Sequence, residues 1–521
     1  MEENNGIHLL KKSKTNILGL IFSRLSILAV LLLIQVAILL SFFAWFKELI
    51  PTLMGGTTIF TVFMVLYIFS SDTNPTEKMT WLIVIMIMPI TGGLFYIYTK
   101  SELGHRILKR RSLEIIEKSK DTLSQDENLM AEIKKEAPEL ASLNSYVNRS
   151  GNYPIANKTS VKYYPLGEDK WHDLLIELDK AEDFIFMEYF IIEEGKMWGQ
   201  ILEILAKKAK AGVDVRVMYD GTCEFSTMPN NYPKLLEGLG IKCKIFAKVT
   251  MFLSTHYNYR DHRKICVIDG KVAFNGGVNL ADEYINAYAK HGHWKDTAVM
   301  LKGRAVDNFS VMFLNMWNMS ETTKEDYQPY LNRYEAQDAK GYVMPYGDNP
   351  MDDDKVGESV YMDILNRANE YVYIMSPYLI LDGELESALK YTAERGVDVR
   401  LILPGVPDKL GPYALAKSHY AALLKAGVKI YQYTPGFVHA KVFLSDDKVG
   451  VVGTINLDYR SLYHHFECAT YMYKTECLKD IKADYLNTLT KCHQVNHEDV
   501  KKENIFMRIY GFVLKVLAPL M

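Results

Sequence analysis

Hydrophobic and polar positions divide the chain into three textures. Residues 25–46, 49–69 and 79–98 carry no charged side chain, and the last run includes Trp81, Pro89 and the pair Gly92-Gly93. Each run reaches about 20 residues, the length that crosses a bilayer as a helix. No small-residue cleavage site stands out before the second run, which argues against a signal peptide. The runs predict an integral membrane protein with two to three hydrophobic helices in residues 1–100; a buried helical hairpin is the competing reading. Residues 101–150 are charge-rich with spaced apolar positions (Leu113, Ile115, Ile116, Leu129, Met130, Ile133). They predict an amphipathic helical linker, lying on the membrane or solvated.

From residue 161 the pattern alternates between strand and helix. Residues 184–187 form a short apolar run, 198–211 have helical spacing, and 213–219 read as a strand behind Gly212. Residues 371–375, 384–395 and 396–403 repeat that order, and "GVDVR" at 212–216 returns verbatim at 396–400. This predicts two duplicated α/β lobes, residues 151–335 and 336–500. Residues 501–521 predict an amphipathic C-terminal helix, docked on lipid, on the anchor or on the lobes.

Charge refines the picture. A net charge of −3 argues against a nucleic-acid binder that relies on a basic surface. Lys11, Lys12, Lys14 and Arg24 precede the first run, and Lys100, Arg106, Lys109, Arg110 and Arg111 follow the third. Three full spans put these clusters on opposite sides, so either one run re-enters or the weaker cluster lies outside. The denser downstream cluster places the lobes of this multi-pass cell-membrane protein at the cytoplasmic face. The six cysteines lack zinc-ligand spacing and fit a reducing compartment. No metal and no other cofactor is expected.

The pattern His-x-Lys-x4-Asp occurs twice, as His262, Lys264, Asp269 and as His439, Lys441, Asp446, 177 residues apart. Gly276, Gly277 and Asn279 trail the first copy, and Gly453, Thr454 and Asn456 the second. Residues two apart share one face of a strand, so each His and Lys point the same way. Joining the lobes would collect two imidazoles and two ammonium groups, a set suited to a phosphate diester. Lys264, Lys441, Asn279 and Asn456 are candidate phosphate ligands. Asp269 and Asp446 complete the candidate catalytic set, but they lie five residues past their lysines, where a turn role fits better than substrate contact. The acids expected to hold the second nitrogen of the histidines are Asp296 in "HWKDT", 34 residues past His262, and Glu467 in "HHFE", 28 past His439. Tyr189 and Tyr378 are read as lining the entrance or packing in the core.

The duplicated motif, in "DHRKICVIDGKVAFNGGVNLADEY" (261–284) and "HAKVFLSDDKVGVVGTINLDYRS" (439–461), resembles the phospholipase D superfamily. With the segment "NPTEKMTWLIVIMIMPITGGLFYIY" (74–98) the likeness extends to bacterial cardiolipin synthases and covers nearly the whole chain. The resemblance implies two pseudo-symmetric phospholipase D-type α/β/α sandwich lobes behind an N-terminal helical membrane anchor. It implies a cardiolipin synthase acting on phosphatidylglycerol among membrane lipids, through a phosphohistidine, with His262 as nucleophile and His439 as general acid/base. The near-symmetric motifs by themselves do not tell the two histidines apart. A hydrolytic phospholipase D, or a phosphatidyltransferase using another alcohol, is the alternative; a nuclease and an inactive scaffold rank lower. A homo-oligomer is compatible with the sequence. One departure is His465, where an Asn is common in the family.

Overall fold

The computed structural model describes residues 5–10, 37, 41, 44, 56–100, 106–229, 231–247, 259–321 and 325–520. The hydrophobic run 25–46 lies outside the described residues apart from three isolated positions, and so does the start of the second run. Among the described residues no helix is long and apolar enough to cross a membrane. The third run is not one span. It divides into helices Pro75–Ile87 and Pro89–Lys100, because Pro89 has no amide to continue the first helix but suits the first turn of the second. Their 13 and 12 residues correspond to about 20 Å each, short of a ~30 Å hydrocarbon core. With helix Gly56–Ser70 they close around Met64, Ile68, Trp81, Ile85 and Tyr96. Gly92 and Gly93 permit this: a Cβ on Gly92 would stand 2.9 Å from the Val84 carbonyl oxygen, and one on Gly93 2.6 Å from the Phe60 ring.

The first lobe holds strands β1 (Ser160–Tyr164), β2 (Phe184–Tyr189), β3 (Asp214–Asp220), β4 (Lys242–Phe246), β5 (Arg260–Asp261), β6 (Lys264–Ile268), β7 (Val272–Gly276), β8 (His293–Lys295) and β9 (Ala298–Lys302). The second holds β10 (Tyr342–Asp348), β11 (Tyr371–Met375), β12 (Asp398–Pro404), β13 (Lys429–Tyr433), β14 (Gly436–Val438), β15 (Val442–Ser445), β16 (Val449–Gly453), β17 (His465–Tyr473) and β18 (Cys492–Gln494). The first sheet runs β1-β9-β7-β6-β2-β3-β4 and the second β10-β17-β16-β15-β11-β12-β13-β18. Strand for strand these are the same order, with β18 added at one edge. In both, the helix-linked strands are parallel and the motif hairpin is antiparallel. The repeated "GVDVR" marks the same joint twice. Gly212 and Gly396 sit at φ +97° and +92° after a helix, where a left-handed residue turns the chain into the next strand.

The two sheets share one core. Helix Val306–Asn318 is buried almost throughout, and its Phe309 and Phe313 join Phe186 and Ile265 of one lobe to Val343, Tyr346 and Phe443 of the other. Helices Glu127–Glu136 and Pro138–Gly151 bury Leu129, Met130, Ile133, Leu140 and Val147 in the same core, so the linker's apolar face packs on the lobes rather than on lipid. The C-terminal helix Ile505–Leu517 has two sides. Gly511 presses on helix Leu410–Lys425, where a Cβ would lie 2.4 Å from the Ala414 carbonyl oxygen. Phe506, Ile509, Phe512 and Val513 point outward.

The motif aspartates have a structural place. Asp269 accepts the amides of Glu182, Asp183 and Phe184 at 2.8 Å each, and Asp446 accepts those of Asn369, Glu370 and Tyr371 at 2.8–3.0 Å. Each staples the start of the central parallel strand to the motif turn, at the opposite end of the strand from the histidine. Asp269 and Asp446 therefore sit away from the histidine end of their strands, and their hydrogen bonds give these candidate residues a structural place in the fold. Hydrogen bonds to a charged acceptor contribute about 1.5–3 kcal/mol each. Asp269→Ala is expected to lose about 3 kcal/mol or more in chemical denaturation, and Asp446→Ala less, because its staple is more exposed. An unchanged midpoint for Asp269→Ala would remove the staple from this account.

Candidate active site

Two short parallel pairings between the lobes build the site. β5 lies beside β17 with Asp261 opposite Phe466, and β14 lies beside β8 with Val438 opposite Lys295. The next residue on every strand is therefore a histidine or an acid, side by side: His262 with Glu467, and His439 with Asp296. The backbone continues the register, His262 N donating to Phe466 O at 2.9 Å and His439 N to Lys295 O at 2.7 Å. His262 Nδ1 lies 2.8 Å from Glu467 Oε1, and His439 Nδ1 2.7 Å from Asp296 Oδ2. The two expected acids do hold the histidines, but exchanged. Each acid serves the histidine of the other lobe, so 34 and 28 residues of sequence separation become 143 and 205.

The acids are held in turn. The Thr454 hydroxyl donates to Glu467 Oε2, and Thr297 N donates to Asp296 Oδ1 at 2.8 Å. Gly277, at the position equivalent to Thr454, must lack a side chain, since a Cβ there would lie 2.1 Å from Asp296 Oδ1. Sequence reasoning missed Thr454 as a functional residue. Its place after Gly453 in the trailing stretch was the available signal. Aromatic edges fix the rings: Phe190 stands 4.9 Å from His262, and Tyr284 and Trp294 each 5.4 Å from His439, centroid to centroid.

Both lysines are buried behind their histidines. Lys264 Nζ donates to His262 O at 2.5 Å, and Lys441 Nζ lies against His439 O and 2.9 Å from His439 Nδ1. Nδ1 cannot give a proton to Asp296 and accept one from Lys441 together. Burial pushes the Asp296 carboxyl up, but His439 and Lys441 outweigh it and hold it low, so the carboxylate is the partner that takes the Nδ1 hydrogen. Asn279 accepts from Ile191 N at 3.0 Å and donates to the Tyr284 hydroxyl at 2.8 Å, tying its loop down. Asn456 is 4% exposed, and its Oδ1 has no hydrogen-bond partner among the described residues. Tyr189 is core, its hydroxyl accepting from Lys170 Nζ at 3.1 Å, while the half-buried Tyr378 donates to Asp408 at 2.7 Å.

The electrostatics are those of a site assembled for an anion. Burial, then the charges of Lys264, Lys441 and His439, hold His262 well below its ordinary range. Burial and Lys441 take His439 down to about 4 against the pull of Asp296. Burial lowers Lys264 to about 8 and Lys441 to about 7, with the nearby carboxylates recovering only part of the loss. With no anion in the site both imidazoles are thus neutral at pH 7, the state His262 needs as a nucleophile, and His439 gains the second proton of a general acid when an anion enters. Among the described residues, His262, His465 and Glu467 also group closely enough to ligate a metal; no linear spacing announced that cluster.

An anion at the site would restore full charge to Lys441 and Lys264. Phosphate or vanadate affinity is expected to fall above pH 7, approaching about tenfold per pH unit where one proton is taken up. Calorimetry in buffers of different ionisation heat should show net proton uptake near pH 8. Binding without proton uptake would contradict the lowered lysines.

The family profile described as cardiolipin synthase, PLD-like domain, matches residues 174–317 and 361–488, one block in each lobe. A profile described as phospholipase D-nuclease N-terminal matches residues 59–99. A cardiolipin synthase of Alkalihalophilus pseudofirmus is 32% identical over 504 residues, 96% of this chain and 100% of that one. One from Halalkalibacterium halodurans is 30% identical over 506 residues, again 96% and 100%. An uncharacterized protein of Streptococcus mutans is 55% identical over 460 residues, 88% of this chain and 99% of that one. The crystal structure of phosphatidylserine synthase from Haemophilus influenzae superposes with a TM-score of 0.56 at 13% identity, covering 73% of this chain and 97% of that one; this likeness concerns the fold alone. With the family's domain matched in each lobe around its own histidine, the chain belongs to the bacterial cardiolipin synthases of the phospholipase D superfamily.

Proposed function

We propose that the protein is a phosphatidyltransferase that joins two phosphatidylglycerol molecules into cardiolipin and releases glycerol. The observation that carries this reading is the pair of exchanged His–acid contacts closing one buried site with two lysines. With the anionic phosphodiester bound, His439 carries a proton on Nε2 as well as on Nδ1; His262 Nε2 attacks phosphorus, the bond to the leaving glycerol oxygen breaks, and His439 gives that oxygen its Nε2 proton. A phosphatidyl group then sits on His262. The free hydroxyl of a second phosphatidylglycerol gives its proton to His439 and attacks, the P–N bond breaks, and both histidines return to their starting states. Glu467 and Asp296 orient the rings and stabilise each imidazolium as it forms. Lys264 and Lys441 balance the charge that builds on the non-bridging oxygens.

Exposed apolar side chains support a lipid substrate taken from the bilayer. Phe69, Ile87 and Phe506 are 72%, 74% and 77% exposed, and Thr80 Oγ1 donates to Val516 O at 2.8 Å, joining the N-terminal helices to the C-terminal one. These faces are the side we assign to the membrane. The basic cluster after residue 99 favours the cytoplasmic leaflet. The net charge of −3 and the apolar flank count against nucleic acid as substrate.

In phosphatidylglycerol vesicles the wild type is expected to yield cardiolipin and glycerol in equal amounts. His262→Ala and His439→Ala should each lower turnover about 100- to 10,000-fold or more. A trapped phosphoenzyme should persist on His439→Ala and be missing from His262→Ala. The exchange of acids is tested by Glu467→Gln, which should behave like a His262 variant, and Asp296→Asn, which should behave like a His439 variant. The opposite pairing of phenotypes would show that the exchanged contacts do not govern catalysis.

A further inference from the structure

His465 is 8% exposed, and neither of its ring nitrogens has a hydrogen-bond partner among the described residues. A buried imidazole without partners is costly unless it serves a ligand. Its ring lies 5.3 Å from that of His262, and its Nδ1 lies 3.6 Å from Glu467 Oε1. One donor atom each from His262, His465 and Glu467 falls within 4.8 Å of the others, all three residues being buried. Tetrahedral zinc with bonds of about 2.0–2.2 Å places its donors about 3.3–3.6 Å apart, so small side-chain shifts suffice.

The cluster has an approach suited to a cation. His465 lines a cleft of about 570 Å³ whose wall carries Asp72, Glu77, Asp348, Asp352, Asp353 and Asp354. Lys355 is the one lysine among the described residues that lines it, while Lys100 reaches Glu77 at 2.8 Å and Lys109 lies 3.9 Å from Asp353. A cleft with this excess of carboxylates concentrates cations. It is a poor route for an anionic lipid headgroup.

We propose that His262, His465 and Glu467 bind a divalent transition-metal ion of the zinc class, entering through the acidic cleft, and that its binding inhibits the enzyme. Two imidazoles and one carboxylate suit zinc, copper or nickel rather than magnesium or calcium, which prefer all-oxygen shells. The ion replaces the proton between His262 Nδ1 and Glu467 and releases it to solvent. Glu467 then no longer orients His262, and positive charge at Nδ1 draws electron density from Nε2. The inhibition rests on the transferase reading, whereas the binding does not.

The test uses the full chain in detergent micelles, stripped of metal and dialysed against zinc alone. The wild type is expected to retain one zinc per chain, and His465→Asn to bind it about 100-fold more weakly. Zinc that inhibits wild-type lipid transfer should leave the turnover of His465→Asn unaffected. No zinc on the wild type, or equal affinity in His465→Asn, overturns the proposal. The double variant Asp353→Asn, Asp354→Asn stays clear of the buried cluster and guards against a folding artefact. It should slow zinc association about threefold to tenfold with dissociation unchanged, and an unchanged association rate rejects the cleft as the route. Zinc held through His465 by a protein that transfers no phosphatidyl group supports the binding and sinks only the transferase reading.

Discussion

The reciprocal exchange of two histidine–carboxylate contacts is the constraint on which the rest of the structure depends. Each lobe extends a short strand, β5 or β14, onto a strand of its neighbour, and the register of that pairing places imidazole beside acid. Asp296 and Glu467 are both fully buried. An isolated carboxylate at such depth is unstable, and removing one partner of a buried charged pair costs about 3–5 kcal/mol. Each acid takes its histidine partner from the other lobe, so the catalytic geometry and the docking of the lobes are one requirement. The shared core around helix Val306–Asn318 and the common strand order then follow as the scaffold that presents both strands at once.

That constraint also explains the charge state of the site. Two lysines and two histidines share a buried volume with two carboxylates, leaving excess positive charge wherever all are protonated. The protein relieves it by keeping the imidazoles neutral and the lysines easy to deprotonate. A bound phosphate diester supplies the missing negative charge and returns the lysines and His439 to their charged forms. The site is preorganised for the anion it converts rather than for its own ground state.

The elements with outward apolar faces obey a different physics. Helices Pro75–Ile87 and Pro89–Lys100 fold back on each other at a proline, and Gly92 and Gly93 let them pack closely. Their outward side chains, and those of helix Ile505–Leu517, have no partner in the protein core. Apolar surface of this extent marks an interaction face, and it lies on the elements that flank the lobes. The charged, buried interior and the exposed apolar faces are thus kept on separate parts of one chain.

The sequence by itself determined the duplication and the residue types of the chemistry. The two His-x-Lys-x4-Asp copies, the repeated "GVDVR" and the strand–helix alternation depend only on local periodicity and identity, and the repeated sheet order follows from them. The turn role of Asp269 and Asp446 was also legible, because five residues of strand separate them from their lysines. The exchange of Asp296 and Glu467 was not legible, since sequence distance favours partners within a lobe while the actual register is set by strands pairing across lobes. Residues 79–98 show the same limit: hydropathy counts apolar length, but Pro89 and the close packing allowed by Gly92 and Gly93 decide how that length is folded. The cluster of His262, His465 and Glu467 joins residues 203 and 205 positions apart, and only the packing of one lobe on the other brings their donor atoms together.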